Sequence, residues 1–257
     1  MSSLILIPLF VYLGLGIIAY FLGDKLIFQP QPMFYGDDDQ AFKLATPGGE
    51  KITAIFYKNE NAVFTILFSH GNAENISDTD RFLRNLRDAG FNVLAYDYRG
   101  YGKSEGKPSE QNSYEDAETA YNYLINEIKI PPEKIIIHGR SLGGAVSIDL
   151  ASRKKCGGLI AESAFVSAFR VLTHYTIYPF DKFQNLAKIK RVKCPVLFIH
   201  GKKDEIIPFR HGEMLFAGAN EPRYSFWIDE AKHNNVSAIG GRSYLQAIRD
   251  FADNLPK

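Results

Sequence analysis

Within residues 134–144, KIIIHGRSLGG, one serine stands where an alcohol can act as a nucleophile. An apolar strand runs into Gly139-Arg140-Ser141-Leu142-Gly143 and a helical pattern leaves it, the setting that gives G-x-S-x-G its chemical meaning. Glycine on both sides of Ser141 lets the chain turn sharply, so that Oγ projects alone above the sheet. The following helix aims its unpaired N–H groups at the same point. A serine hydroxyl stays a weak nucleophile until a base removes its proton. His70, His138 and His200 each precede a glycine at the end of an inferred strand, which fits packing beneath a turn better than a metal trio. His174 and His211 fall in helical or loop segments with no matching carboxylate. His233 lies in the polar loop DEAKHNN between the last strand and the last helix, and is the expected base. The acid that orients the imidazole is expected to be Asp204, on the loop after PVLFI, with Glu162 after the short strand at 158–161 as its rival. Two N–H donors must then meet the charge developing on an acyl oxygen. They are expected from the Leu142 amide and from the loop 69–74, SHGNAE, where Asn72 is preferred to Ala73. This is chemistry for acyl transfer through an acyl-serine, and it needs no metal or organic cofactor.

These residues are spread over the chain, so a rigid scaffold must gather them. Apolar runs without alternation, at 64–68, 91–96, 135–137 and 195–199, read as strands buried on both faces. Ala117, Ala120, Tyr121, Leu124, Ile125 and Ile128 recur at helical spacing behind a Ser113-x-x-Asp116 capping box. Ser77-x-x-Asp80 opens a second helix, and Leu245, Ile248, Phe251 and Leu255 mark a last one. Strand–helix alternation predicts a mostly parallel central sheet flanked by helices. The runs 41–46 and 51–57 are expected to add an antiparallel edge. Residues 164–192, rich in Phe165, Phe169, Tyr175, Tyr178, Phe180 and Phe183, are the one stretch available as a cap, either lining an acyl site or covering the sheet.

The chain has 257 residues, 30 Lys+Arg against 29 Asp+Glu, and 46% apolar residues, which suits one large domain and argues against disorder and sequence-independent nucleic-acid binding. Two cysteines cannot staple a chain of this length. Gly102-Lys103-Ser104 is no phosphate loop, because Asp97 stands where its first glycine is required. From Ser2 to Gly23 there is no charged side chain. Residues 4–22, LILIPLFVYLGLGIIAYFL, are apolar on every face, so 3–23 is expected to be a transmembrane anchor rather than a core helix. A cleaved signal would want a basic start and a small-x-small site. Lys25 tilts the orientation toward a cytoplasmic catalytic domain, although Asp24 stands beside it. Residues 24–40, with QPQPMFYG at 29–36, are expected to be a linker to a domain spanning 41–257.

Five blocks, HGNAEN at 70–75, DYRGYGKSEGKPSE at 97–110, GRSLGG at 139–144, CPVLFIHGKKDEIIP at 194–208 and HNN at 233–235, together resemble the α/β-hydrolase superfamily. Within it the chain resembles the small membrane-anchored serine hydrolases typified by alpha/beta hydrolase domain-containing protein 13 and related bacterial proteins. The resemblance implies an α/β-hydrolase fold with a short cap and the triad Ser141, Asp204 and His233, in the superfamily's chain order. It also implies a structural role for the block around Asp97 and Arg99. Lys232 departs from the glycine usual before that histidine, which puts the loop geometry in question. The N-terminal cysteine cluster that acyl-protein thioesterase relatives carry for lipidation has no counterpart here, which weakens a depalmitoylase reading. The expected substrate is an ester or thioester, lipid-like or acylated. The alternatives are a peptidase of the prolyl-oligopeptidase type, which typically adds a propeller or large cap, and a non-catalytic binding module, which predicts a lost triad member. In this topology Cys156 and Cys194 precede neighbouring parallel strands, where their thiols could pair.

Overall fold

The computed structural model describes residues 2–31, 41–173 and 175–255, with side chains from residue 7 onward. Residues 32–40 of the expected linker, and His174, lie outside the described residues. Eight strands form one sheet: β1 (Ala41–Ala45), β2 (Lys51–Tyr57), β3 (Thr65–Ser69), β4 (Asn92–Tyr96), β5 (Ile135–Arg140), β6 (Gly158–Glu162), β7 (Val196–Gly201) and β8 (Arg223–Ile228). Their order is β1-β2-β4-β3-β5-β6-β7-β8. β1 and β2 form the antiparallel edge, and every pairing from β4 to β8 is parallel. The helices are α1 (Ser2–Ile27), α2 (Asp80–Asp88), α3 (Glu110–Asn126), α4 (Leu142–Arg153), α5 (Ala168–Thr173), α6 (Asn185–Ile189), α7 (Arg210–Gly218) and α8 (Val236–Asp253).

The unbroken apolar strands follow from burial on both faces. Ile137, Leu159 and Phe198 pack with Ala145, Val146 and Leu124 in one layer. Their neighbours Ile136, Ile160 and Leu197 pack with Leu83, Leu86, Ile248 and Phe251 in the other. Successive side chains point to opposite faces, and here both faces are core. The register sets Ser69 beside Gly139, Gly139 beside Ala161, and Arg140 beside Glu162. The loops after β3, β5, β7 and β8 therefore open on one edge of the sheet, where crevices of α/β folds lie.

Three local expectations change. The cap of α3 is Ser109, whose Oγ accepts the Asn112 N–H at 3.1 Å. Ser113 and Asp116 lie buried inside the helix, and Asp116 accepts the Arg99 backbone N–H and Nε at 2.8 and 2.7 Å. α2 starts at Asp80 behind Thr79, without a side-chain cap bond, and Ser77 belongs to the preceding turn. The first helix continues past residue 23 to Ile27, because Asp24 is paired with Lys182 and accepts the Glu110 N–H. Beyond it Phe28 is buried against Tyr101 and Phe183. Residues Ile7–Ile27 are long and apolar enough to cross a membrane, with 11% of that window buried in the protein. Cys156 and Cys194 do lie side by side, as two thiols with Sγ atoms 3.3 Å apart. The hydrogen bond to Cys194, and then burial, push the Cys156 thiol well up.

Candidate active site

β5 delivers the chain to Ser141, whose φ of 56° and ψ of −115° lie where a side chain is strained. Such a turn persists only where its surroundings over-determine it, and the flanking glycines supply that condition. A Cβ on Gly139 would sit 2.0 Å from the Gly143 carbonyl oxygen, and one on Gly143 would sit 2.0 Å from that of Ser69. The Ser141 N–H is fixed on the Glu162 carbonyl at 2.9 Å. Its hydroxyl is thereby presented to the loop between β8 and α8.

Ser141 Oγ lies 3.0 Å from His233 Nε2, and His233 Nδ1 lies 2.8 Å from Asp204 Oδ2. An ionised carboxylate can only accept, so Nδ1 carries the proton and Nε2 is left to accept from the serine. Asp204 is buried and further held by the N–H groups of Ile206 and Ile207 at 3.0 and 2.7 Å. Burial pushes its carboxyl up, but bonds from His200 and His233 and the charge of His233 outweigh it, and the pKa falls well below the carboxylate range. The His233 loop is tied by the Lys232 N–H to Asn235 Oδ1 at 2.7 Å, and the Lys232 side chain is exposed. The departure from glycine at that position therefore leaves the loop geometry intact.

The rival acid is elsewhere. Glu162 accepts from His138 Nε2 at 3.1 Å and from the Tyr244 hydroxyl at 2.6 Å, buried behind the elbow. His200 donates to the Ile207 carbonyl at 2.9 Å and supports Asp204 at 3.2 Å. His70 donates to its neighbour's carbonyl at 2.7 Å under the rings of Tyr98 and Tyr101. Among the described residues no three metal-ligating groups converge. Arg99 pairs with Asp116 and Glu115, and Asp97 accepts the Ile76 N–H at 2.7 Å, so both brace loops.

Above Ser141 opens a cleft of about 480 Å³ lined by both expected donor positions, Leu142 and Asn72. The Leu142 N–H is the first of α4 and has no partner within the helix. The Ala73 N–H is already bonded to Asn72 Oδ1 at 3.1 Å, so of the two candidate loop amides that of Ala73 is the one already engaged. Two features of the site went unread in the sequence. Arg140 Nη2 bonds both Glu74 oxygens at 2.7 Å, and Glu74 Oε2 accepts the Gly71 N–H at 3.0 Å, which joins the elbow to the donor loop. Opposite charges in two loop motifs were the available signal. The second is that Leu26 and Ile27 of α1 line the cleft. Nothing in the spacing of an apolar helix marks that contact.

A human relative, alpha/beta hydrolase domain-containing protein 17B, is 39% identical over 219 residues, covering 84% of this chain and 75% of that protein. The chain belongs to the α/β-hydrolase superfamily. A family model described as serine aminopeptidase, S33, matches residues 60–184 of this hydrolase. The alpha/beta hydrolase domain-containing protein aho-3 of Caenorhabditis elegans is 42% identical over 199 residues, covering 75% of the chain and 58% of that protein. An esterase of Pyrococcus furiosus superposes with a TM-score of 0.74 at 18% identity, covering 89% of the chain and 97% of the esterase, which speaks for the fold. Fold and superfamily are thus as the motifs implied, with an eight-stranded, mostly parallel sheet.

Proposed function

We propose that this hydrolase is a membrane-anchored serine esterase or thioesterase acting on lipid-like or acylated substrates. The observation that carries the reading is the unbroken relay from Asp204 through His233 to Ser141 at the foot of an open cleft. Ser141 Oγ attacks the acyl carbonyl while His233 Nε2 takes its proton, and Asp204 stabilises the imidazolium that forms. The amides of Leu142 and Asn72 hold the oxyanion. His233 returns the proton to the departing alcohol or thiol, leaving an acyl-serine. It then takes a proton from a water that attacks this ester, and as the second oxyanion collapses it passes that proton to the departing Ser141 Oγ, which frees the acid and restores both side chains. α1 anchors the enzyme in the bilayer through residues 3–23 and their continuation to Ile27.

An aminopeptidase would need a free carboxylate in the cleft for a terminal ammonium. Among the described residues the one acid lining the cleft, Glu74, is held by Arg140 and the Gly71 N–H. Labelling with a fluorophosphonate tests the nucleophile: wild type is labelled and Ser141→Ala is not. Turnover of p-nitrophenyl esters falls about 10⁴-fold in that variant, with binding retained. Equal turnover in the two proteins would refute the assignment.

A further inference from the structure

Between α1 and residues 168–181 runs a second cavity of about 640 Å³. Its walls are apolar: Val11, Leu15 and Ile18 from the helix, and Leu172, Ile177 and Phe180 from the cap. Leu26, Ile27, Ala168 and Leu172 line this groove and the catalytic cleft alike, so the two adjoin along these four side chains.

The groove is held open by specific contacts. The Tyr12 hydroxyl donates to the Ile177 carbonyl at 2.9 Å, and the Tyr178 hydroxyl donates to the Tyr12 carbonyl at 3.0 Å. The two rings stack with centroids 4.8 Å apart. Gly16 lets the helix lie against Tyr178, where a Cβ would fall 2.8 Å from the ring. At the cytoplasm-or-lumen end of the helix, Asp24 pairs with Lys182. There too the Asn72 amide side chain donates to the Ile27 carbonyl at 2.6 Å and accepts the Gln29 N–H at 3.0 Å. Asn72, which lines the catalytic cleft, is thus also the residue that grips the end of the anchor.

We propose that α1 is a wall of the substrate site as well as a tether, and that the groove holds the long unbranched acyl chain whose carbonyl sits at Ser141. This rests on the acyl-transfer reading above. Three observations select that occupant. The groove adjoins the cleft that holds Ser141 and shares four of its lining residues. Apart from Asp181, whose Oδ1 already accepts the N–H groups of Phe169 and Lys182 at 2.9 and 2.7 Å, the described lining carries no charged side chain. The groove also follows the membrane-spanning residues from Pro8 to Ile27, a rise of about 28 Å at about 1.5 Å per residue, so a chain can slide in from the bilayer without crossing water. Leu172 and Tyr175, 83% and 79% exposed on the cap, are placed to rest on the same lipid.

The full chain in lipid nanodiscs is assayed with p-nitrophenyl esters from acetyl to palmitoyl. Short esters that reach the groove from water gain about fourfold in kcat/KM per added methylene, and the gain levels off for chains already dissolved in the bilayer. Ile18 lies about 14 Å and Leu15 about 18 Å along the helix from Ile27 at about 1.5 Å per residue, so they serve as marks on a ruler. Ile18→Trp lowers the ratio of long-chain to acetyl kcat/KM by about tenfold and shortens the preferred chain. Leu15→Trp affects only the longest chains. The same chain-length profile in wild type and both variants overturns the proposal while leaving the nucleophile assignment intact, which Ser141 labelling reports separately. Wild-type protein supplies a second measurement, independent of any variant's folding. A long-chain alkyl fluorophosphonate ending in a diazirine, once on Ser141, crosslinks on illumination to peptides from 7–27 and 168–181. Crosslinks confined to other segments overturn the groove assignment.

Discussion

Arg140 occupies the variable place of G-x-S-x-G, yet it ties the elbow to the loop that carries the proposed second oxyanion donor. Its guanidinium holds Glu74, Glu74 holds the Gly71 N–H, and Asn72 follows directly in the chain. Moving that loop misaligns one of two donors without removing it. Deleting a donor outright costs about 10²–10³ in kcat, so Glu74→Ala is expected to lower kcat by about tenfold with little change in KM. Glu74→Asp recovers part of the loss if it still reaches both partners. A rise in KM at unchanged kcat would instead make Glu74 a substrate contact. Steady-state kinetics on one short ester separate the two outcomes. That Ser141, Asp204 and His233 converge was legible residue by residue, since each carries a local motif. The Arg140–Glu74 link was not, because 66 residues separate its partners and only the fold brings them together.

Elements were legible where burial dictates composition. Strands such as Ile135–Arg140 are core on both faces, so an apolar run alone announces them. Helix starts were harder, because Ser113 and Asp116 mimic a capping box while serving a tertiary purpose. Asp116 is there for Arg99, and that partner lies in a loop outside the helix. The end of α1 was misplaced for the same reason: Asp24 looks like a stop until Lys182 and the Glu110 N–H are seen beside it. Close backbone approach sets the tolerance of the elbow. At Gly143 an added Cβ meets the Ser69 and His70 carbonyl oxygens at 2.0 and 2.6 Å, and neither strand end can yield without breaking the register of β3 on β5. Gly143→Ala is therefore expected to exceed the usual overpacking cost of about 1–3 kcal/mol and to leave little folded protein. Gly14→Ala, where a Cβ meets nothing within 4 Å, is the matched control and keeps full yield. Size-exclusion recovery of the two variants reads the difference.

At the scale of the whole molecule, buried carboxylates tie folding to pH. Burial pushes both Asp204 and Glu162 up, yet each ends below the ordinary carboxylate value. His200 and His233 hold Asp204 down, and His138, Arg140 and Tyr244 hold Glu162 down. A folded pKa lower than the unfolded one means that the unfolded chain binds more protons between the two values, so stability there rises with pH. The contribution is complete above the unfolded carboxyl range of about 4 and is lost as pH falls further toward the folded values. Both groups stand at the C-terminal edge of the sheet, on β6 and on the loop after β7, so acid loosens the catalytic edge together with the fold. Trp227 is the chain's single tryptophan and packs against Phe209 and Phe216, which makes its fluorescence a direct report on that region. Thermal melts of the full chain in detergent, followed by that signal from pH 7 to pH 3, are expected to gain slightly as Asp116, pushed up to about 7 by burial, takes up its proton, to level off, and then to fall steeply below about pH 4. Asp204→Asn removes one of the two protonation events and flattens the descent, although it lowers the plateau by disrupting the relay. An unchanged acid slope in both Asp204→Asn and Glu162→Gln would show that other carboxylates govern the transition.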